Sequence, residues 1–420
     1  MQQQKFDVII VGAGPAGSSC AIALAGSGLT VALVDKGIFP RDKICGDALS
    51  IDVVNQLAML SSQLATDFAS LENKIASYGV KIFSTKFDSV TIPVFYKGEK
   101  KCGYVSPRLA FDDFLFNHAK KISNIHCFEN CAIDKIEQHA GAVIVYAGTL
   151  QLEAAIVIGA DGAHSIVGKQ LANTIVDKDH YSAGLRVYYD AVTGFEEGDH
   201  IELHFFKKVV PGYLWIFPLA NNRANVGIGM LSSVVAKRKI NLKETLQELL
   251  TVHPHLSKRF ENAKPMETVK GFGLPLGSKK RNISGERFLL IGDAASLIDP
   301  FSGEGIGNAM RSGRIAAKHI QECFKTNDFS ASFNKQYDRE IYRKMWKEFR
   351  ISRLLMKVTN YTWLCDLIVK KANSNAYINK LMMEGLASVD KRKSLFANPK
   401  FYYKLFFSGK LKEKHDHSAV

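Results

Sequence analysis

Long charge-free apolar runs are missing from this 420-residue chain, so no membrane-spanning helix is expected. Cysteine is scarce: seven are scattered along the sequence, and the odd count speaks against a disulfide framework. A reducing cytoplasm is therefore the expected compartment. Metal-ligand spacing is missing as well. Cys127 and Cys131 read as structural, because C-x-x-x-C matches neither redox nor zinc patterns. His253 and His255 flank a proline in a polar stretch, and no metal is expected there. Residues 1–5 are polar and lack the apolar segment of an export signal. Internal repeats and low-complexity tracts are also missing, which argues against a solenoid or a disordered chain.

What is present is an ordinary globular composition, 46% apolar and 23% charged, in a chain long enough for two interlocked domains and an appendage. The net charge of +14 is concentrated near the end. Residues 335–414 carry 19 Lys and Arg against 7 Asp and Glu, a surplus of 12. Such a segment suits an anionic membrane surface, nucleic acid, or simply a solvated helical face. Its Trp346, Phe349, Leu354, Leu355, Trp363, Leu364 and Ile368 recur at helical spacing among the cations. That mixture reads as helices capping a core and touching the inner face of a membrane peripherally, with no nucleic acid expected.

Residues 6–11 form a continuous apolar run ending in glycine, residues 16–27 are small and apolar at helical spacing, and residues 30–34 are again apolar and β-branched. This β-α-β order is the unit of a doubly wound sheet. A helix is expected from Ile51, strands and turns over 78–105, and a helix over 107–121 entered through Ser106. Strands follow at 142–146 and 154–158. From 181 to 230 the pattern changes to alternating aromatic strands, such as 201–206 and 213–217, as in an antiparallel sheet. A short buried strand returns at 288–291. The expected division is a discontinuous dinucleotide domain (1–78, 105–180 and 275–325), an antiparallel-sheet substrate domain (79–104 and 181–274), and a basic helical region (326–420).

Gly12-Ala13-Gly14-Pro15-Ala16-Gly17 lies between the first strand and helix. Gly12 permits a tight turn, Gly14 lets backbone approach a pyrophosphate, and Gly17 lets helix and strand pack closely, with Ala16 beside it at the helix start. Helix N–H groups then face the phosphate charge. Asp35 ends the next strand, 18 residues after Gly17, where a carboxylate accepts ribose hydroxyls; Lys36 adjoins it. NAD and FAD share this fingerprint. The second strand-turn-helix, from Phe288 through Asp293 and Pro300 to Gly303, Gly305, Ile306 and Gly307, decides for FAD. Asp293 is placed to bind ribityl hydroxyls. The glycines let a helix start lie against the isoalloxazine ring and favour negative charge on the reduced flavin.

Both stretches resemble those of the p-hydroxybenzoate-hydroxylase-like flavoproteins, which include aromatic hydroxylases, halogenases and geranylgeranyl reductases. Gly159-Ala-Asp161-Gly162 with Ser165 is similar to that family's Asp-Gly motif, which implies that Asp161 and Gly162 contact the cofactor. Arg108, followed by Phe111, Asp112 and Leu115, looks like the helix arginine that contacts FAD. Within that superfamily, Pro40-Arg-Asp-Lys-Ile-Cys45-Gly46-Asp47 resembles the Pro-x-x-x-x-Cys-Gly segment of geranylgeranyl reductases, with Asp47 where some members have a second glycine. Tyr213-Leu-Trp215-Ile-Phe217-Pro218 is similar to their Tyr-x-Trp-x-Phe-Pro motif. The resemblance implies that Cys45, Gly46 and Asp47 lie near the flavin and that Cys45 positions substrate or delivers a proton. A small buried hydrophobe is the other reading of Cys45. Tyr213, Trp215 and Phe217 alternate on one strand and share a face. That face suits an isoprenoid or polyene substrate, and it equally suits a plain hydrophobic core.

The expected activity is FAD-dependent reduction, or the reverse desaturation, of carbon–carbon double bonds in a large apolar isoprenoid or polyene molecule. NAD(P)H or an electron-donor protein would serve as reductant, since no second nucleotide fingerprint is present. Two alternatives stand beside it. One is a hydroxylase or halogenase on the same fold, although halogenases show Trp-x-Trp-x-Ile-Pro where this chain has Tyr213 and Phe217. The other is a flavin-binding redox sensor whose output is a partner or membrane interaction.

Overall fold

A computed structural model describes residues 2–93, 95–96, 99–195, 200–375 and 377–379. The expected basic region beyond 379 lies outside the described residues.

Strands Val8–Val11, Val31–Val34 and Ile156–Gly159 are buried at every position. Aliphatic side chains without alternation are what a strand covered on both faces requires. These strands build a six-stranded sheet in the order Ile125–Phe128, Val31–Val34, Val8–Val11, Ile156–Gly159, Phe288–Leu290, Ser284–Gly285. All pairings are parallel except the last. Helices Pro15–Ala23 and Ile306–Thr326 pack tightly together, and a side chain on Gly313 would collide with the Ala16 carbonyl. The doubly wound architecture read from the sequence is the one observed.

One element was not anticipated. The polar residues Gln2–Lys5 form a strand, parallel to Leu150–Ala154, in a sheet completed by Val143–Ala147 and Lys135–Gln138. Backbone pairing with a formed edge holds it, so no apolar pattern marks it in the sequence.

The second large sheet has eight strands. Along its main path run Lys264–Pro265, Tyr181–Asp190, Arg223–Leu231, Gly212–Leu219, Ile201–His204, Gly79–Phe83 and Ser89–Pro93, with Lys270–Pro275 also pairing Tyr181–Asp190. Ile201–His204 runs parallel to Gly79–Phe83, while the other pairings are antiparallel. Gly103–Val105 pairs instead with Ala48–Leu49 and Ile75–Ser77. On one face of the eight-stranded sheet, Leu214, Ile216, Val226 and Ile228 form a core with Leu242, Leu246 and Leu250. The opposite face carries Tyr213, Trp215 and Phe217 toward Val105 and Ala48.

Two long helices close the described chain. Ala331–Val358 packs on the first sheet, where the Tyr337 hydroxyl donates to the Leu290 carbonyl at 2.7 Å and Phe349 covers Gly277. Thr362–Ser374 packs Leu364, Leu367 and Ile368 around Val90 and Ile92 on the far edge of the second sheet. Asp366 anchors it by accepting the Thr85 N–H at 2.8 Å. Among the described residues no helix is long and apolar enough to cross a membrane.

Candidate cofactor and substrate site

The two glycine turns, some 280 residues apart in sequence, meet in space. A side chain on Gly292, next to Asp293, would lie 2.9 Å from Ala16 Cβ. Gly12 has φ +103° and its missing side chain would strike Ala160, in the turn after Ile156–Gly159. Gly17 sits against the Gly12 carbonyl with no room for a methyl group. Gly14 caps helix Pro15–Ala23 without any side-chain cap, so the first-turn N–H groups are left for an incoming anion. Two guanidinium groups flank it. A side chain on Gly14 would be 3.6 Å from Arg41 and 3.9 Å from Arg108.

Asp35 is buried and accepts the Ala13 N–H at 2.8 Å and the Gly37 N–H at 2.9 Å. Arg41 bridges Asp35 (3.0 Å) and Asp112 (3.1 Å), while Arg108 pairs with Asp112 at 2.6 Å. Burial works against the Arg108 charge, but Asp112 outweighs it and holds the guanidinium protonated. Lys36 is exposed, and nothing in the described structure ties it to this cluster. Asp161 is a different case. Its carboxylate accepts the Ser165 hydroxyl and the Ile166 N–H (2.6 Å), capping helix Ile166–Leu171. Gly162 beside it has φ +80° and open space above it.

On the second turn, the Asp293 carboxylate accepts no hydrogen bond among the described residues, and a side chain on Gly305 would be 3.5 Å from it. Nearby, the buried Tyr181 hydroxyl has no hydrogen-bond partner among the described residues; burial first, then Asp293, pushes its pKa up. Pro300 is buried, and Asp299 shapes the loop by accepting the N–H groups of Phe301 (3.0 Å) and Ser302 (2.8 Å). Gly303 has φ +72° and Gly305 leads into helix Ile306–Thr326, again without a side-chain cap. Orphaned polar groups at one end and uncapped helix starts beneath glycine turns make a cradle that fits a dinucleotide flavin.

Above this loop stands the aromatic strand. The Tyr213 hydroxyl donates to the Ser302 carbonyl. Trp215 lies 6.4 Å from Tyr213 and 6.3 Å from both Phe217 and Phe272, ring to ring. Gly227 and Gly229 stand directly opposite Trp215 and Tyr213, and Gly227 leaves the space the indole fills. A side chain on Gly46 would meet the Phe217 ring at 2.9 Å. Cys45 and Gly46 are thus sandwiched between the wall and Arg108.

Asn225, which no motif flagged, holds this corner together. It accepts the Trp215 indole N–H at 2.9 Å and donates to the Cys45 carbonyl and to Asp47, both at 2.8 Å. Asp47 also accepts the Tyr188 hydroxyl at 2.6 Å and is fully buried. Burial pushes its pKa up to about 6, although Tyr188, Asn225, Arg186 and Arg108 pull the other way. Its φ of +68° is the left-handed conformation, which glycine adopts without strain.

Residues 5–347 match the family model described as an FAD binding domain. A menaquinone reductase of Mycolicibacterium smegmatis is 33% identical over 336 residues, covering 78% of this chain and 79% of that protein. A digeranylgeranylglycerophospholipid reductase of Thermoplasma acidophilum is 30% identical over 352 residues, covering 80% and 83%. The chain belongs to the geranylgeranyl reductase family of FAD-dependent oxidoreductases. The fold of this flavoprotein is shared with a geranylgeranyl bacteriochlorophyll reductase-like protein from T. acidophilum, with a TM-score of 0.78 at 24% identity over 94% of this chain and 100% of that one. A halogenase crystallised with FAD has a TM-score of 0.71 at 19% identity, over 94% and 86%. These two likenesses speak to the fold alone.

Sequence reasoning missed Arg41, Tyr181, Tyr188 and Asn225 as contributors to this flavoprotein's site. Arg41 lies inside the segment from Pro40 to Asp47 and was legible as a cation beside it. Asn225 had only one signal, its place two residues before Gly227-x-Gly229.

Proposed function

We propose that this flavoprotein reduces carbon–carbon double bonds of a large apolar isoprenoid or polyene lipid. One observation carries the reading: the aromatic face of Gly212–Leu219 is hydrogen-bonded through Tyr213 to the glycine loop that borders the flavin cradle. The names of the menaquinone and digeranylgeranylglycerophospholipid reductases support it, since both substrates carry prenyl chains.

In this reading Gly12, Gly14, Ala16 and Gly17 with Arg41 and Arg108 hold the diphosphate. Asp35 holds the adenosine ribose, and Asp293 with Tyr181 takes the ribityl chain. Gly303, Gly305 and Ile306, steadied by Pro300, lie along the ring. Gly162, through its backbone, together with Cys45, Gly46 and Asp47, closes the cradle's edge. When bound, the reduced flavin supplies a hydride from N5 to one alkene carbon. Tyr213, Trp215 and Phe217 line the substrate channel, hold the chain flat and exclude water. Cys45, kept beside Arg108, delivers the proton to the other carbon, which balances the reduction. The reductant is NAD(P)H or an electron-donor protein, and the enzyme works in the cytoplasm at the membrane periphery.

The test is anaerobic. Enzyme reduced chemically and mixed with a prenyl quinone should regain its oxidised flavin absorbance faster than without it, and mass spectrometry should find one double bond fewer. Reoxidation indifferent to the lipid would overturn the reading. Substrate-stimulated oxygen consumption with hydroxylated product would move the assignment to a monooxygenase.

A further inference from the structure

Residues 349–365 carry Arg350, Arg353 and Lys357 and no carboxylate. Of the carboxylates on either side, Asp366 accepts from Thr85, and Glu348 lies two positions before Arg350, roughly on the opposite side of the helix from it. All three cations are exposed on helix Ala331–Val358, and Leu354 stands among them at 54% exposure. Positions 350, 354 and 357 recur at helical spacing, so cation and aliphatic chain share one stripe. Phe349, 1% exposed, turns the other way against Gly277, so the stripe is the outer face. Across the turn into Thr362–Ser374, Tyr361 (60%) and Trp363 (59%) extend the exposed apolar surface. A cavity of about 350 Å³, lined by Trp346, Arg350, Arg353, Leu354, Lys357 and Ser278, opens at its base.

This face is close to the chemistry. Arg353 donates to the Ser278 carbonyl at 3.3 Å. Two residues earlier, Leu276 pairs with Ile298, which leads into the glycine loop after Asp299.

We infer that this face docks on an anionic lipid bilayer. Clustered cations without a carboxylate among them match lipid phosphates, while Leu354, Tyr361 and Trp363 match the level where headgroups give way to acyl chains. An acidic soluble protein would meet the cations but would leave three large apolar side chains facing water. Docking would bring the lipid phase beside the loop that borders the flavin. The inference rests on the reading that the substrate is a membrane lipid.

The FAD-loaded full chain should co-sediment with vesicles containing about one quarter phosphatidylglycerol in phosphatidylcholine, and far less with phosphatidylcholine alone. Binding should weaken with salt. The triple variant R350E/R353E/K357E should lose more than roughly a hundredfold of that partitioning. Leu354→Ser with Trp363→Ser should lose roughly tenfold by removing apolar insertion. Both variants should keep their flavin and their reoxidation rate with a short prenyl quinone in detergent micelles. Vesicle binding by the triple variant equal to that of the unmodified chain overturns the inference, as does a dimer in light scattering that this variant dissolves. Vesicle binding without any lipid-stimulated reoxidation would sink the reductase reading and leave the docking face standing.

Discussion

The hydroxyl of Tyr213 donates to the carbonyl oxygen of Ser302, bolting the aromatic strand to the glycine loop. The two groups belong to different sheets' territories, and the bond spans 89 positions in sequence. Tyr213→Phe keeps the ring and removes the bolt. It should cost about 1 kcal/mol in a thermal melt. It should also slow lipid-stimulated reoxidation several-fold while flavin content stays full. An unchanged rate would mean that the bond serves stability alone.

Gly17→Ala puts a methyl group into the Gly12 carbonyl, and backbone cannot yield there without opening the turn. The purified variant should be folded by circular dichroism yet nearly colourless. A full complement of flavin at 450 nm, on the order of one per chain, would show that this turn does not hold the cofactor.

Asp47 lends the protein a specific pH dependence. Its folded pKa, about 6, lies above the roughly 3.9 of an unfolded aspartate, so the folded chain keeps a proton the unfolded chain has lost. Stability from this group therefore falls as pH rises through about 4 to 6 and stays lost above it. In the variant Asp47→Asn the amide cannot titrate, and an asparagine tolerates the left-handed backbone. The melting temperature of Asp47→Asn relative to the unmodified chain should be more favourable at about pH 8 than at about pH 5. A constant difference would show that Asp47 is ionised throughout.

Cys45→Ala separates the two readings of that thiol. If Cys45 delivers the proton, the variant should bind flavin and accept electrons normally, while lipid-dependent reoxidation falls on the order of a hundredfold. If the thiol only fills space, the rate should hold and a small loss of thermal stability should be all that remains.

The parts of the fold legible in the sequence were those whose physics is local. Val8–Val11 and Val31–Val34 announce themselves because burial on both faces demands unbroken aliphatic runs. Gly12 and Gly17 do so because the turn tolerates no side chain. Gln2–Lys5 stayed hidden because a neighbouring edge, not its own pattern, makes it a strand. Asn225 joins Trp215, Cys45 and Asp47, residues whose adjacency only the folded chain creates. Asp161 shows how one residue type serves two ends. An aspartate at a strand end fits a ligand contact and a helix cap equally well, and here the cap takes the carboxylate.

Strand Phe288–Leu290 completes the parallel sheet against Ile156–Gly159, itself paired with Val8–Val11. A ribosome has therefore made more than two thirds of the polypeptide before the second half of the nucleotide cradle exists. Until then the first turn is exposed alone, with the partner for Ala16 still unmade. A cofactor gripped by both turns can therefore be fully held only once the later one has been synthesised.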